Sequence, residues 1–280
     1  MTVGVIGLGL IGGSLALSLR SRGHTLLGSD RSARHEAEAL ERGLVEACVS
    51  VEELSDRCEL VAVAVPVDAA VAVCRRLLDL DSAATIAELG STKSVLAKAL
   101  RHHSQRGRLV LTHPMSGTEF SGPAAAVPEL YAGRVCVFCD RDDSDPRHFA
   151  RARDLLERLG MRPVEMASGP HDMHVAYVSH ISHVSSFALS HTVLNKERDE
   201  RAIFQLAAGG FASTVRLAKS NPATWAPIFA QNAAPLTEVL DEYIAVLREF
   251  RDALTAGRQD DLYDLIARAN DIAAVLPPTR

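Results

Sequence analysis

The sequence is short of lysine, of cysteine and of uninterrupted apolar runs. It holds four lysines against twenty-six arginines, which reads as a genomic bias rather than a mechanistic one. No apolar run approaches the roughly eighteen residues that a transmembrane helix needs, so no membrane-spanning helix is expected. Residues 3–19 are apolar but broken by glycines, and they lack the charged–apolar–small pattern of a signal peptide. The cysteines (Cys48, Cys58, Cys74, Cys136 and Cys139) are odd in number and scattered, which points to reduced thiols in a cytoplasm. A net charge of -5 and a pI near 6.1 leave no basic field for nucleic acid or an anionic membrane. There is no repeat, no low-complexity tract and no long linker.

What is present is a two-part pattern. A chain of 280 residues suits two domains of ordinary size. Short β-branched runs at 2–6, 25–29, 60–65, 85–88, 109–112, 135–139 and 162–165 alternate with amphipathic stretches at 11–21, 33–42, 67–79, 93–103 and 146–159. This alternation predicts βαβ units and a largely parallel sheet. At Ser168-Gly169-Pro170 the pattern changes: Ser168 reads as an N-cap with Pro170 in the first turn, and helical stretches follow at 170–194, 200–219, 222–255 and 260–275. Asn221-Pro222 reads as a cap, Gly257 as a stop and Pro277-Pro278 as the end of order. The expected domains are 1–167, α/β, and 168–280, all-α, with a cleft between them.

The strand over 2–6 runs directly into Gly7-Leu8-Gly9-Leu10-Ile11-Gly12 and a helix. In G-x-G-x-x-G so placed, the first glycine permits the tight turn, the second admits a pyrophosphate, and the third lets helix and strand pack closely. The phosphates would then meet the free N–H groups of the helix. Asp30, eighteen residues beyond Gly12 and at the end of the second strand, is placed to hold a ribose diol and to repel a 2′-phosphate. The first domain is therefore expected to be a doubly wound sheet of Rossmann type binding NAD. Arg31, beside Asp30, is the feature that would favour NADP. Val65-Pro66 and Gly90-Ser91 end later strands and are expected to line the same cleft; Ser91 is equally a simple helix N-cap.

His113 follows the strand 109–112 and stands where a base could take a hydroxyl proton as hydride leaves. Its local alternative is a loop cap before Pro114. His171-Asp172-Met173-His174 and His180-Ile181-Ser182-His183 fall on the first helix of the second domain. Histidines three apart share a face, but neither acidic residue nor cysteine accompanies His180 and His183 at ligand spacing, so no metal is expected. Polar groups facing a cleft, or imidazoles hydrogen-bonded in a helix interface, are the readings left open. Arg216 lies between apolar neighbours after the adjacent Gly209 and Gly210, a placement suited to gripping a carboxylate or to a surface ion pair. Cys136 and Cys139 alternate to opposite faces of a strand, against zinc or a disulfide.

Taken together, GVIGLGLIGGSLA at 4–16, GSTKS at 90–94, HPMSGTEFSGP at 113–123, HDMHVAYVSHISH at 171–183 and AAGGFASTVRLAKSNPATWAPIFAQN at 207–232 resemble the prephenate/arogenate dehydrogenase family. The resemblance spans nearly the whole chain and implies a Rossmann domain followed by an all-α dimerisation domain, hence a homodimer. It implies NAD-dependent oxidative decarboxylation of prephenate to 4-hydroxyphenylpyruvate, in tyrosine biosynthesis. By the resemblance, His113 is catalytic, Ser91 supports it and the substrate hydroxyl, and His180 helps to position substrate. Arg216 grips a substrate carboxylate, Glu119 stands at the pocket mouth, and Ser116, Gly117, Thr118 and His183 belong to the substrate site. No regulatory domain or fused mutase accompanies these blocks, so tyrosine feedback is expected to act at the active site.

The sequence departs from the family pattern at Phe120, where lysine is frequent, at Ala212–Val215 after Gly-Gly-Phe, and at Glu88, where aspartate is usual. These changes thin the charge around the substrate and keep arogenate and 4-amino-4-deoxyprephenate open as substrates. A β-hydroxyacid dehydrogenase would need a catalytic lysine on an interdomain helix, and neither Lys196 nor Lys219 sits in that pattern. A nucleotide-binding sensor would bind the cofactor and turn nothing over.

Overall fold

The computed structural model describes residues 1–199 and 202–276; the proline pair at 277–278 lies outside them. By packing, the chain forms two units, Met1–Ala233 and Ala234–Arg280.

The first unit is built on a sheet of β1 (Thr2–Ile6), β2 (Thr25–Ser29), β3 (Ala47–Cys48), β4 (Leu60–Val63), β5 (Thr85–Glu88), β6 (Leu109–Pro114), β7 (Val135–Cys139) and β8 (Arg162–Met166). Its order is β3-β2-β1-β4-β5-β6-β7-β8. All neighbours are parallel except β6 and β7, which run antiparallel with His113 opposite Val137. Between β1 and β4 the order reverses, so the crevice beyond their carboxyl ends is the topological switch point where such sheets bind ligands.

Both faces of the sheet are covered, and the strand residues sort between them with period two. Val3, Val5, Leu60, Ala62, Cys136 and Phe138 pack in one core with residues of α1 (Leu10–Arg20), α2 (Ala33–Glu41) and α6 (Pro146–Arg158). Ile6, Val61, Val63, Val137 and Cys139 pack in the other with α3 (Val51–Arg57), α4 (Val67–Asp79) and α5 (Ser94–Leu100). Cys136 and Cys139 therefore fall in different cores. The short β3 and α3 escaped the sequence reading, although Ser50 and Glu53 form a reciprocal capping box at the start of α3.

The helical part departs from its expected outline in three places. Ser168 is not the N-cap: α7 (Ser168–Val175) is preceded by Ala167, and the Ser168 N–H donates to Asp140 Oδ1 at 2.8 Å. From α7 the chain passes through a π turn, Ala176–His180, into α8 (Ile181–Asp199), a local widening that helical periodicity does not reveal. The stretch expected as one helix over 200–219 is broken among the described residues into Ile203–Leu206, α9 (Gly209–Thr214) and Arg216–Lys219; two glycines begin α9. The expected helix over 222–255 is split at Asn232 into α10 (Pro222–Gln231) and α11 (Ala233–Thr255). Pro235 cannot donate back across that break, and Asn232 is turned inward, 1% exposed.

The second unit comprises the rest of α11, α12 (Gln259–Asn270) and the turn Asp271–Ala274. Arg258 pairs with Asp261, and Arg268 with Glu249. Tyr243, Val246, Leu247, Leu254, Tyr263, Ile266 and Ile272 are exposed, more apolar surface than a small helical unit ordinarily leaves to water.

Candidate active site

The turn after β1 has the geometry that its glycines require. Gly7 has φ +91°, and its N–H donates to Ser29 O at 2.9 Å. A Cβ on Gly12 would lie 1.9 Å from Gly7 O and 2.9 Å from a Val5 methyl, whereas one on Gly9 would meet nothing within 4 Å. Two glycines thus serve the fold and the middle one keeps a surface clear, the division of labour expected of a pyrophosphate cradle. Leu8 is buried, with Gly28 beneath it, and contributes only main chain to the turn. Leu10 and Ile11 are half-buried at the start of α1.

Asp30 stands at the carboxyl end of β2. Its Oδ2 accepts from Leu8 N at 2.8 Å and its Oδ1 from Ser32 N at 2.9 Å. A carboxylate has about four lone-pair directions, so the fixed group retains capacity for a diol. Arg31 beside it is exposed. Val65 is half-buried and Pro66 exposed in the connection from β4 to α4. This cradle fits a dinucleotide.

His113 lies within β6 rather than just after it and is 9% exposed. Its Nδ1 is 2.9 Å from His171 Nε2, and His171 Nδ1 is 2.8 Å from Asp172 Oδ1. Asp172 also accepts from Lys93 N and Ser94 N, each at 2.8 Å. Burial pushes its carboxyl up, but the His171, Ser94 and Lys93 hydrogen bonds prevail and hold it below its ordinary value. Burial first, then the charges of His171, Lys93 and His180, pushes His113 well below the ordinary histidine value. At neutral pH His113 is therefore an uncharged imidazole, the form in which it can act as a base.

Beneath it, the Lys93 ammonium is paired with Glu88 and donates to Thr112 O at 2.7 Å. Both side chains are fully buried. Removing one partner of such a pair costs about 3–5 kcal/mol, so this ion pair locks the 88–94 loop to the strand that carries His113. Ser91, in the same loop, is half-buried; among the described residues no hydrogen bond joins it to His113.

His180 ends the π turn. Its Nδ1 is 3.0 Å from Asn232 Nδ2, which also donates to Asp172 O at 2.7 Å. Its ring meets Trp225 and Phe229 edge-on, and burial pulls its pKa to about 4. His183 donates from Nδ1 to Ser179 O at 3.0 Å and stacks on Trp225 with ring centroids 3.4 Å apart. Burial lowers its pKa also.

The loop after β6 carries the remaining candidates. The Ser116 hydroxyl is buried with no partner among the described residues. Gly117 and Thr118 are exposed, and Thr118 Oγ1 accepts from Phe120 N at 3.3 Å. Glu119 Oε2 is 3.0 Å from Arg216 Nη1. Its carboxyl is held low by a hydrogen bond from its own main chain and then by Arg216. Arg216 itself is half-exposed. The structure thus joins His113 to His171 and Asp172, His180 to Asn232, and Arg216 to Glu119. Lys93 and Asn232 drew no individual role from the sequence, and His171 and Asp172 only the general one of polar groups on the first helix of the second domain. Asp172 beside His171 was a visible pair of polar residues, but nothing in its spacing pointed to Asn232 sixty positions away.

A mostly parallel sheet with a glycine turn at its switch point defines a nucleotide-binding fold. Residues 15–165 match the family described as prephenate dehydrogenase, nucleotide-binding domain, and residues 167–268 match prephenate dehydrogenase, dimerization domain. The chain belongs to the prephenate/arogenate dehydrogenase family. It is 31% identical to the cyclohexadienyl dehydrogenase of Zymomonas mobilis, over 94% of this chain and 91% of that one. It is 28% identical to the prephenate dehydrogenase of Bacillus subtilis, over 99% and 76% respectively. Among solved structures, the prephenate dehydrogenase from A. aeolicus in complex with hydroxyphenyl propionate and NAD+ superimposes with a TM-score of 0.88 at 26% identity, covering 96% of each chain.

Proposed function

We propose that the chain catalyses the NAD-dependent oxidative decarboxylation of prephenate to 4-hydroxyphenylpyruvate, a cytoplasmic step of tyrosine biosynthesis. The observation that carries this reading is His113: a buried, uncharged imidazole at the carboxyl edge of the sheet, with Nδ1 occupied by His171. The A. aeolicus complex, with NAD+ and a phenolic acid on the same fold, supports the choice of ligands. NAD, when bound, supplies the hydride acceptor. Gly7, Leu8, Gly9, Leu10, Ile11 and Gly12 would hold its pyrophosphate, Asp30 its ribose, and Arg31, Val65, Pro66 and Ser91 the rest of the cleft.

His113 Nε2 takes the ring hydroxyl proton as hydride departs from the ring carbon. Loss of the ring carboxylate as carbon dioxide then returns its electron pair to the ring, and the proton returns to what becomes a phenol. Aromatisation makes the step irreversible. Arg216 binds a substrate carboxylate, which must displace Glu119 from the 3.0 Å ion pair. Ser91, His180 and His183 orient the ring, and Ser116, Gly117 and Thr118 line the mouth. The test is a panel of prephenate, arogenate and 4-amino-4-deoxyprephenate with NAD and with NADP, followed by absorbance of the reduced cofactor. The expected result is highest kcat/KM with prephenate and NAD. Preference for either amino substrate, or for NADP, overturns that part of the reading.

Residues 1–167 are proposed to hold the dinucleotide and 168–280 to complete the substrate site and form a homodimer. The exposed apolar residues of the second unit and the dimerization-domain match support the dimer. Light scattering should return twice 30.1 kDa; a monomer at micromolar concentration would refute it.

A further inference from the structure

We infer that Asp172 is a hub that sets opposite tautomers on two histidines, so that His113 presents a bare Nε2 and His180 presents an Nε2–H. For neutral rings, the donor and acceptor capacities of the side chains fix each proton. An ionised carboxylate accepts and cannot donate, and both Asp172 oxygens are in use: Oδ1 toward Lys93 N and His171 Nδ1, Oδ2 toward Ser94 N. His171 must therefore carry its proton on Nδ1. With His171 neutral, its Nε2 is an acceptor, and the 2.9 Å contact to His113 Nδ1 places a proton on His113 Nδ1. The lone pair of His113 is left on Nε2.

The second branch runs through the main chain of the same residue. Asp172 O is an acceptor, so the Asn232 side-chain atom 2.7 Å from it is the NH2 group. That NH2 lies 3.0 Å from His180 Nδ1, which must then be an acceptor. A neutral His180 consequently carries its proton on Nε2. The two imidazoles, chemically identical in the sequence, thus have opposite abilities: one accepts a proton, the other donates a hydrogen bond.

The first branch also gives a captured proton somewhere to share its charge. When His113 Nε2 is protonated, the resulting cation is hydrogen-bonded to His171, and His171 to the Asp172 carboxylate. The charged and titrating groups that face His113 are His171 on α7, Lys93 at the start of α5 and His180 on the π turn. All three oppose a positive charge on His113, and the Asp172 carboxylate hydrogen-bonded to His171 is what offsets them. His171, Asp172 and Asn232 are positioning residues: none is assigned to touch substrate.

This inference deepens the proposed function without depending on it for its test, since tautomers are read without substrate or cofactor. Long-range 1H–15N correlation spectra of histidine-labelled protein at pH 7 should show His113 protonated on Nδ1 and His180 on Nε2. His171→Leu should release His113 into a mixture of tautomers and leave His180 unchanged. His171→Gln, whose amide oxygen can accept from His113 Nδ1, should restore the wild-type His113 tautomer. Asn232→Ala should release His180 and leave His113 unchanged. The opposite tautomer at either histidine in the wild type overturns the inference, and this reading needs no variant to fold. So does a folded His171→Leu protein whose His113 signals are unmoved. If the spectra agree while His113→Asn retains full turnover, the tautomer assignment stands and the assignment of His113 as the base fails.

Discussion

The glycine turn after β1 and the histidine cluster around β6 both stand at carboxyl ends of strands of one sheet, yet they are assembled by different means. The turn is local: Gly7, Gly9 and Gly12 act through the space they leave and the φ they permit. The cluster draws His113 from β6, Lys93 from the approach to α5, His171 and Asp172 from α7, His180 from the π turn and Asn232 from the end of α10. A local device tolerates change in distant elements but not in its own glycines. A distributed device tolerates many single changes in packing, but its chemistry depends on every link. The first should therefore fail by misfolding or by loss of cofactor, and the second by loss of chemistry in a folded protein.

The largest expected effect is at the cluster. His113→Asn should lower kcat by ~10²–10⁴-fold, the usual worth of a positioned general base, with cofactor binding retained. Arg216→Ala should instead raise KM for substrate, by roughly ten- to a hundredfold, as befits a charge-assisted bond of about 1.5–3 kcal/mol. Steady-state kinetics on both variants checks the split, and unchanged kcat in a folded His113→Asn protein would place the base elsewhere. A smaller contrast lies within the turn. Gly12→Ala forces a methyl to 1.9 Å from Gly7 O and should cost about 1–3 kcal/mol or more of stability. Gly9→Ala meets open space and should alter stability by no more than about 1 kcal/mol while weakening NAD binding. Thermal melts with cofactor titrations decide it; a stable Gly12→Ala protein that binds NAD normally would break the comparison.

The smallest and most graded effect is that of pH. Burial pushes His113 well below the ordinary histidine value and takes His180 to about 4. The folded protein resists protonation at these sites, while the unfolded chain binds protons as pH falls through about 6.5. Their contribution to stability is complete above that pH and is lost progressively as pH drops toward the folded pKa near 4 for His180. Melting temperature should decline across the same window. kcat/KM should be on its plateau at pH 7 and fall on the acid side, where His113 becomes charged. An acid limb centred above pH 6.5 would contradict the burial of the base.

The glycine turn was readable because a turn of this kind leaves a signature in consecutive residues, and Asp30 followed at the spacing of one helix and one strand. The two faces of the sheet were readable from period two along β1, β4 and β7. By contrast, one helix was expected through Asn232 although Pro235 marked the place where it breaks, and the inward turn of Asn232 depends on a partner sixty residues away. Arg216 looked equally suited to a carboxylate and to a surface ion pair; the structure shows it half-exposed against Glu119, a partner that sequence spacing does not reveal.

By itself the sequence determined the alternation of strands and helices, the dinucleotide turn, the mildly acidic net charge and the identity of the histidines available for chemistry. These rest on periodicity, on glycine's freedom and on residue type, which are properties of neighbours along the chain. Only the tertiary structure decided which imidazole nitrogen is occupied, which histidine is uncharged through burial, and that Asp172 ties His113 through its side chain to His180 through its main chain. Those choices depend on hydrogen bonds and desolvation between segments that meet only when the chain is folded.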